Sequence, residues 1–247
     1  MMRALFGSWK QPIYADFDVN ITLSLLDEAV LLVWKAGFEC VAYVSDCGGS
    51  NQAVWSCVDL KRKNTFLLHP ATGGKIYLFA DAPHTLKLTR NWLFDTGFLV
   101  ENGLFLPPVN EDKTHPLWQL VTKPNTEISD TFFLTEQHLR VQGSQRQNVA
   151  SAAKVLSRKC GVALLRKVGT PTTKHLAEFI FTVNDYFDVF NSRNLNDSII
   201  LKKPYGTHID IQNAALDKMY TLMQESLPAG KCRLQVNSVC FNDQNMQ

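Results

Sequence analysis

The chain has 247 residues, 45% of them hydrophobic, with 25 Lys and Arg against 23 Asp and Glu for a formal net charge of +2. This apolar content is enough for a sizeable core in one large domain or two ordinary ones, and the charge balance gives no argument for a polyanionic partner from the total alone. The six cysteines form no C-x-x-C pair, which argues against a small disulfide scaffold, and no stretch approaches the roughly 20 apolar residues that span a bilayer.

Taken in chain order, KQPIYADFDV reads as a strand and TLSLLDEAVLLVWKAG as a helix with Leu23, Leu26, Val30 and Trp34 on one face. Thr22 suits its N-cap and Gly37 its end. FECVAYV then reads as a buried strand, SNQAVWSC as a short helix, KIYLFA as a strand and HTLKLTRNWLFD as a helix. This alternation is an α/β order and implies a largely parallel sheet, with functional residues at the carboxyl ends of strands. Asp46 and Asp81 occupy such ends.

From ENGLFLPPVNEDKTHPLW onward the composition turns to Pro and polar residues, which places a boundary near residue 100 and a linker over 101–130. Beyond it the periodicity is helical over 131–230, in QRQNVASAAKVLSRKCGVALLRKV, TTKHLAEFIFTVNDYFDVFN and IQNAALDKMYTLMQESL. In the second of these, Leu176, Ile180, Val183, Phe187 and Phe190 are spaced for one buried face. Residues 231–247 show no period and read as a tail.

The stretch SDCGGSN lacks the spacing of a phosphate loop, no two Cys or His share the short spacing of a structural zinc site, and no nucleophile elbow is present. Two-metal phosphoryl chemistry instead needs carboxylates from different strand ends, and Asp16, Asp18, Asp46 and Asp81 are the candidates. On spacing alone, a turn carboxylate bonding nearby backbone N–H groups is the commoner role for Asp46. His84, Lys87 and Arg90 or Asn91 recur at helical spacing and make a partly basic stripe, suited to phosphates as well as to solvent. The same holds for the polar face carrying Arg146, Lys154, Arg158, Lys159, Arg166 and Lys167.

GSWKQPIYADFD, VSDCGGSNQAVW, FADAPHTLKLTRNWLFDTGF, RQNVASAAKVLS and NDYFDVFNSR, in this order, resemble the P-element type transposases and the THAP-domain proteins derived from them. The resemblance implies an α/β chain, with an incomplete RNase H-like mixed sheet over 1–100 followed by a mostly α-helical, GTP-binding insertion domain over 131–230. It also implies DNA cutting and strand transfer by a Mg2+-bound Asp, Asp, Glu set of the DDE type, whose second member falls on Asp46. His84, Lys87 and Arg90 then lie in a segment shaping the DNA-facing surface, and Asp188 or Asp185 would receive the guanine donors.

In the family the first catalytic aspartate lies upstream of the WKQP segment, and the glutamate lies in a segment like L-E-N-x-F-S. Neither is found, and Glu225 lacks that context. The expectation is therefore a catalytically inactive, transposase-derived fragment acting in the nucleus. The alternative is a regulatory module that binds DNA or GTP and associates with full-length transposase or with itself.

Overall fold

In the computed structural model, residues 1–4, 7–15, 19–57, 65–100, 104–109, 113–122, 133–167, 170–192, 194–225 and 227–228 are described. They divide into two compact units, which separate between Asp81 and Ala82. The division lies before HTLKLTRNWLFD, so that helix groups with the helical unit and not with the first hundred residues.

In the first unit, Met2–Arg3 (β1) pairs antiparallel with Lys10–Gln11 (β2). Among the described residues of KQPIYADFDV the expected strand is confined to Lys10–Gln11; Asp16 and Asp18 lie outside the described residues. Helix α1 spans Leu23–Lys35, with the Thr22 side chain accepting the Leu25 N–H at its start. At its end Gly37 takes a positive φ of 86°, a left-handed geometry that glycine adopts without penalty. The buried face is Leu26, Val30 and Val33; Trp34, expected on it, is 41% exposed and meets the His69 ring edge-on.

Ala42–Ser45 (β3) runs parallel to Lys75–Ala80 (β5), which also pairs antiparallel with Phe66–Leu68 (β4), giving the order β3-β5-β4. The largely parallel sheet expected from the element order is corrected to a mixed one. A tight turn after His69 returns the chain from β4 directly into β5, and this direct return makes the pair antiparallel. Between β3 and β4, Gly49–Cys57 forms α2 and contributes Val54 and Trp55 to a core shared with Leu26, Val30, Leu67, Ile76 and Leu78.

The second unit opens with α3 (Ala82–Asp95) and the hairpin of Phe98–Val100 (β6) and Leu104–Leu106 (β7), to which Leu227–Pro228 (β8) adds antiparallel on β6. Within the expected linker, β7 and α4 (Pro116–Thr122) are folded, because the apolar LFL and LW runs have a core to enter: Leu106, Leu117, Trp118 and Leu120 are buried. Glu136–Leu139 forms α5.

The single helix expected over QRQNVASAAKVLSRKCGVALLRKV is instead a 3-10 turn (Gly143–Gln147), α6 (Val149–Val155) and α7 (Arg158–Lys167). The breaks fall at residues that cap. Asn148 accepts the Ser151 N–H, and the Ser157 hydroxyl accepts the Cys160 N–H.

Helix α8 (Pro171–Phe190) starts on the Thr170 cap with Pro171 in its first turn, and buries Leu176, Ala177, Phe179, Ile180, Val183, Tyr186 and Val189. Phe187 and Phe190, expected on that face, are only half-buried. The third expected helix is α9 (Ile209–Glu225). Among the described residues, no helix is long and apolar enough to cross a membrane.

Candidate functional site

Asp46 stands immediately after β3, and Asp81 immediately after β5. Ser45 and Ala80 are paired in the parallel register, and the Asp81 N–H donates to the Ser45 carbonyl at 2.7 Å, so the two aspartates leave adjacent strand ends. The Asp46 carboxylate is built into the turn: Oδ1 accepts the Gly48 N–H at 2.8 Å and the Asn51 amide at 2.8 Å. Asn51 is held in turn by the Tyr43 hydroxyl at 3.0 Å. Among the described residues, no three His, Cys, Asp or Glu side chains come together as a metal site.

Along α3, the stripe expected from His84, Lys87 and Arg90 separates by depth. His84 and Lys87 are half-buried, and the Lys87 amine donates to Gln147 Oε1 at 2.6 Å. Arg90 is 0% exposed. Its guanidinium donates to the carbonyls of Gln145 (3.0 Å), Arg146 (2.8 Å) and Asn148 (3.5 Å), and its Nε to Asn91 Oδ1 (3.0 Å). Burial, and then the Arg146 charge, pull its pKa down to about 10, against the opposing pull of Asp95, so it stays charged at neutral pH. Arg146 itself forms a bidentate pair with Asp95 at 2.8 and 2.6 Å.

Asp185 and Asp188 lie on α8. Both Asp185 oxygens accept from Arg158, at 2.8 and 2.9 Å, while the Arg158 guanidinium stacks 5.1 Å from the Phe181 ring centroid. Asp188 is buried: Oδ2 accepts the Asn184 amide at 3.0 Å, and Oδ1 lies 3.4 Å from Lys202 Nζ. Burial pushes the Asp188 carboxyl above the usual carboxylate range, Lys202 and Asn184 pull it back, and Asp185 adds to the rise.

Asn184 joins these groups, since its Oδ1 accepts the Arg158 N–H at 3.0 Å at the start of α7. Sequence reasoning singled out neither Asn184 nor Lys202. The i, i+4 spacing of Asn184 and Asp188 was a signal for the first; Lys202 reaches the site from a separate turn and leaves no local signature. Cys160 is fully buried and its thiol is pushed up to about 12, which makes it an inert packing residue. Cys40, Cys47 and Cys57 form no disulfide among the described residues, and Cys232 and Cys240 lie outside them.

Residues 83–204 match the family model of the TNP-like, GTP-binding insertion domain. Over 233 residues the chain is 30% identical to the transposable element P transposase of Drosophila melanogaster, covering 92% of this chain and 30% of that protein. The solved Drosophila P element transposase strand transfer complex superposes with a TM-score of 0.81 at 31% identity, over 93% of this chain and 52% of that one. The chain thus spans about a third of the curated relative and about half of the solved one. Its mixed sheet, its helical unit and these likenesses together place the chain in the P-element transposase-like family.

Proposed function

We propose that this transposase-derived chain binds a guanine nucleotide through Asp188 and, as these residues alone, does not cut DNA. The observation that carries the reading is a buried carboxylate in the segment matching a GTP-binding insertion domain, held by hydrogen-bond and charge partners on both oxygens. Guanine offers N1–H and N2–H2 as neighbouring donors, which the two oxygens of one carboxylate receive together; adenine offers no such pair. Asp185 is the weaker candidate, because one Arg158 guanidinium nitrogen holds both its oxygens at 2.8 and 2.9 Å, closer than Asn184 and Lys202 hold those of Asp188 at 3.0 and 3.4 Å.

Calorimetric titration of the purified chain with GTP and ATP tests this. GTP is expected to bind at least about 10-fold more tightly, the discrimination that one well-placed polar pair supplies. Equal affinity for ATP, or no GTP binding by any variant of the chain, contradicts it.

For the first unit, Mg2+ bound by several carboxylates would stabilise the attacking and leaving oxygens of phosphoryl transfer. The described residues around Asp46 do not fit such a set, since Asp46 Oδ1 serves the turn and no third carboxylate joins Asp46 and Asp81. No cleavage step is therefore assigned to Asp46. In a strand-cleavage assay with Mg2+ or Mn2+, supercoiled plasmid is expected to remain intact; nicking lost in Asp46→Ala would overturn this part.

DNA is the proposed polyanionic partner, on the strength of the likeness to the Drosophila strand transfer complex, and the nucleus the proposed place of action, on the strength of the likeness to the P transposase. A second reading, association with a full-length transposase, is favoured by apolar surface on the first unit. Leu32 is 57% and Val44 59% exposed, and an apolar groove of about 320 Å3 is lined by Ile13, Tyr14, Leu25, Leu32 and Phe38. Co-purification with a full-length relative supports this second reading, whereas formation of self-oligomers only, or of none, counts against it.

A further inference from the structure

We propose that Lys202 is an internal competitor for the nucleotide, holding the Asp188 carboxylate until its ammonium swings away. The inference rests on the reading of Asp188 as the guanine acceptor and adds a mechanism that regulates that same site. Receiving N1–H and N2–H2 requires both carboxylate oxygens, and here both are engaged: Oδ2 by Asn184 at 3.0 Å and Oδ1 by Lys202 at 3.4 Å. Each oxygen keeps a second lone pair, but Asp188 is only 7% exposed, so guanine reaches the carboxylate edge only when a neighbour covering it moves.

The two partners are not equally free to leave. Asn184 is fixed at its other end, where Oδ1 accepts the Arg158 N–H that begins α7. Moving it would take the acceptor from that first N–H of the helix. Lys202 is a point charge on a flexible four-carbon stem, with its side chain 30% exposed, and its ammonium can exchange Asp188 for water by rotation alone.

The backbone that delivers Lys202 is, by contrast, fixed. Ile200–Lys202 forms a 3-10 turn, and Gln212 of α9, fully buried, ties the residues that follow. Its amide donates to the carbonyls of Lys203 (3.0 Å) and Pro204 (3.4 Å), and its oxygen accepts the Gly206 N–H (2.9 Å). Gly206 closes the turn at a φ of 96°. Lys202 is therefore returned to Asp188 whenever the site is empty, and the contact acts as a latch.

The test compares GTP binding by the unchanged chain with that of Lys202→Met, Lys202→Gln and Lys202→Arg, at pH 8 so that the Asp188 carboxyl is ionised. Lys202→Met and Lys202→Gln are expected to bind GTP about fivefold more tightly with faster association, the scale of one partly buried ion pair, while Lys202→Arg stays within about twofold of the unchanged chain. GTP binding seen only in the two neutral variants also supports the latch. Equal or weaker binding by both neutral variants overturns it while leaving the role of Asp188 in place, because a lysine that helps hold phosphate gives that result. Absence of GTP binding in all four proteins overturns the latch and the guanine reading together.

Discussion

Arg90→Met is expected to lower the Tm of the chain by about 10 °C or more, from a loss of roughly 3–5 kcal/mol. Methionine keeps the apolar stem but removes the guanidinium, which donates to three carbonyls of one loop, those of Gln145, Arg146 and Asn148, and to Asn91. Each carbonyl left without its donor costs on the order of 1 kcal/mol or more where water cannot reach it. The loop so released carries Asn148, which caps α6, and Arg146, which pairs with Asp95 at the end of α3. Arg90→Lys rescues only part of the loss, because a single ammonium cannot reproduce the planar fork. If Arg90 instead reached DNA phosphates, Arg90→Met would leave Tm unchanged and weaken DNA binding; thermal denaturation followed by circular dichroism separates the two.

Gly97→Ala is expected to be comparably damaging, by about 3 kcal/mol or more, and to give mostly insoluble protein on expression. The residue links α3 to β6 with a φ of 70°, its N–H donating to the Trp92 carbonyl at 3.0 Å. A Cβ there would sit 2.1 Å from the Leu106 carbonyl oxygen and 2.9 Å from backbone atoms of Pro107 and Pro108. Backbone cannot swing aside as a side chain can, so the β6–β7 register, Phe98 opposite Leu106, would have to open. That would also disturb Phe98 from its packing 4.9 Å from the Phe179 ring. Soluble protein with an unchanged Tm would contradict the close approach.

The parts of this structure that are readable in the sequence are those governed by neighbours in the chain. The Thr22 cap, the Gly37 stop, the burial of Leu176, Ile180 and Val183, and a turn carboxylate at Asp46 all follow from contacts within a few residues. Arg90 was legible only as one member of a helical stripe, because a basic residue at that spacing looks the same whether it faces solvent or a loop. The acceptors that decide its place lie 55 to 58 residues further on. The break within residues 145–168 was hidden for a related reason, since Asn148 and Ser157 are tolerated in helices and act as caps only once tertiary contacts favour the break. Of the candidate site, the pair Asp185 and Asp188 was visible, but the partners that distinguish them, Arg158 and Lys202, come from other elements.

The central claim is that Asp188 reads the guanine edge, and exchanging the acceptor tests it most directly. Asp188→Asn offers one oxygen for N1–H and one amide donor, which suits the O2 carbonyl of xanthine and opposes the N2 amine of guanine. The expected result is that GTP affinity falls about 10- to 100-fold while xanthosine triphosphate, bound weakly by the unchanged chain, becomes the tighter ligand. An Asp188→Asn protein that is folded by circular dichroism and binds GTP as the unchanged chain does would contradict the account.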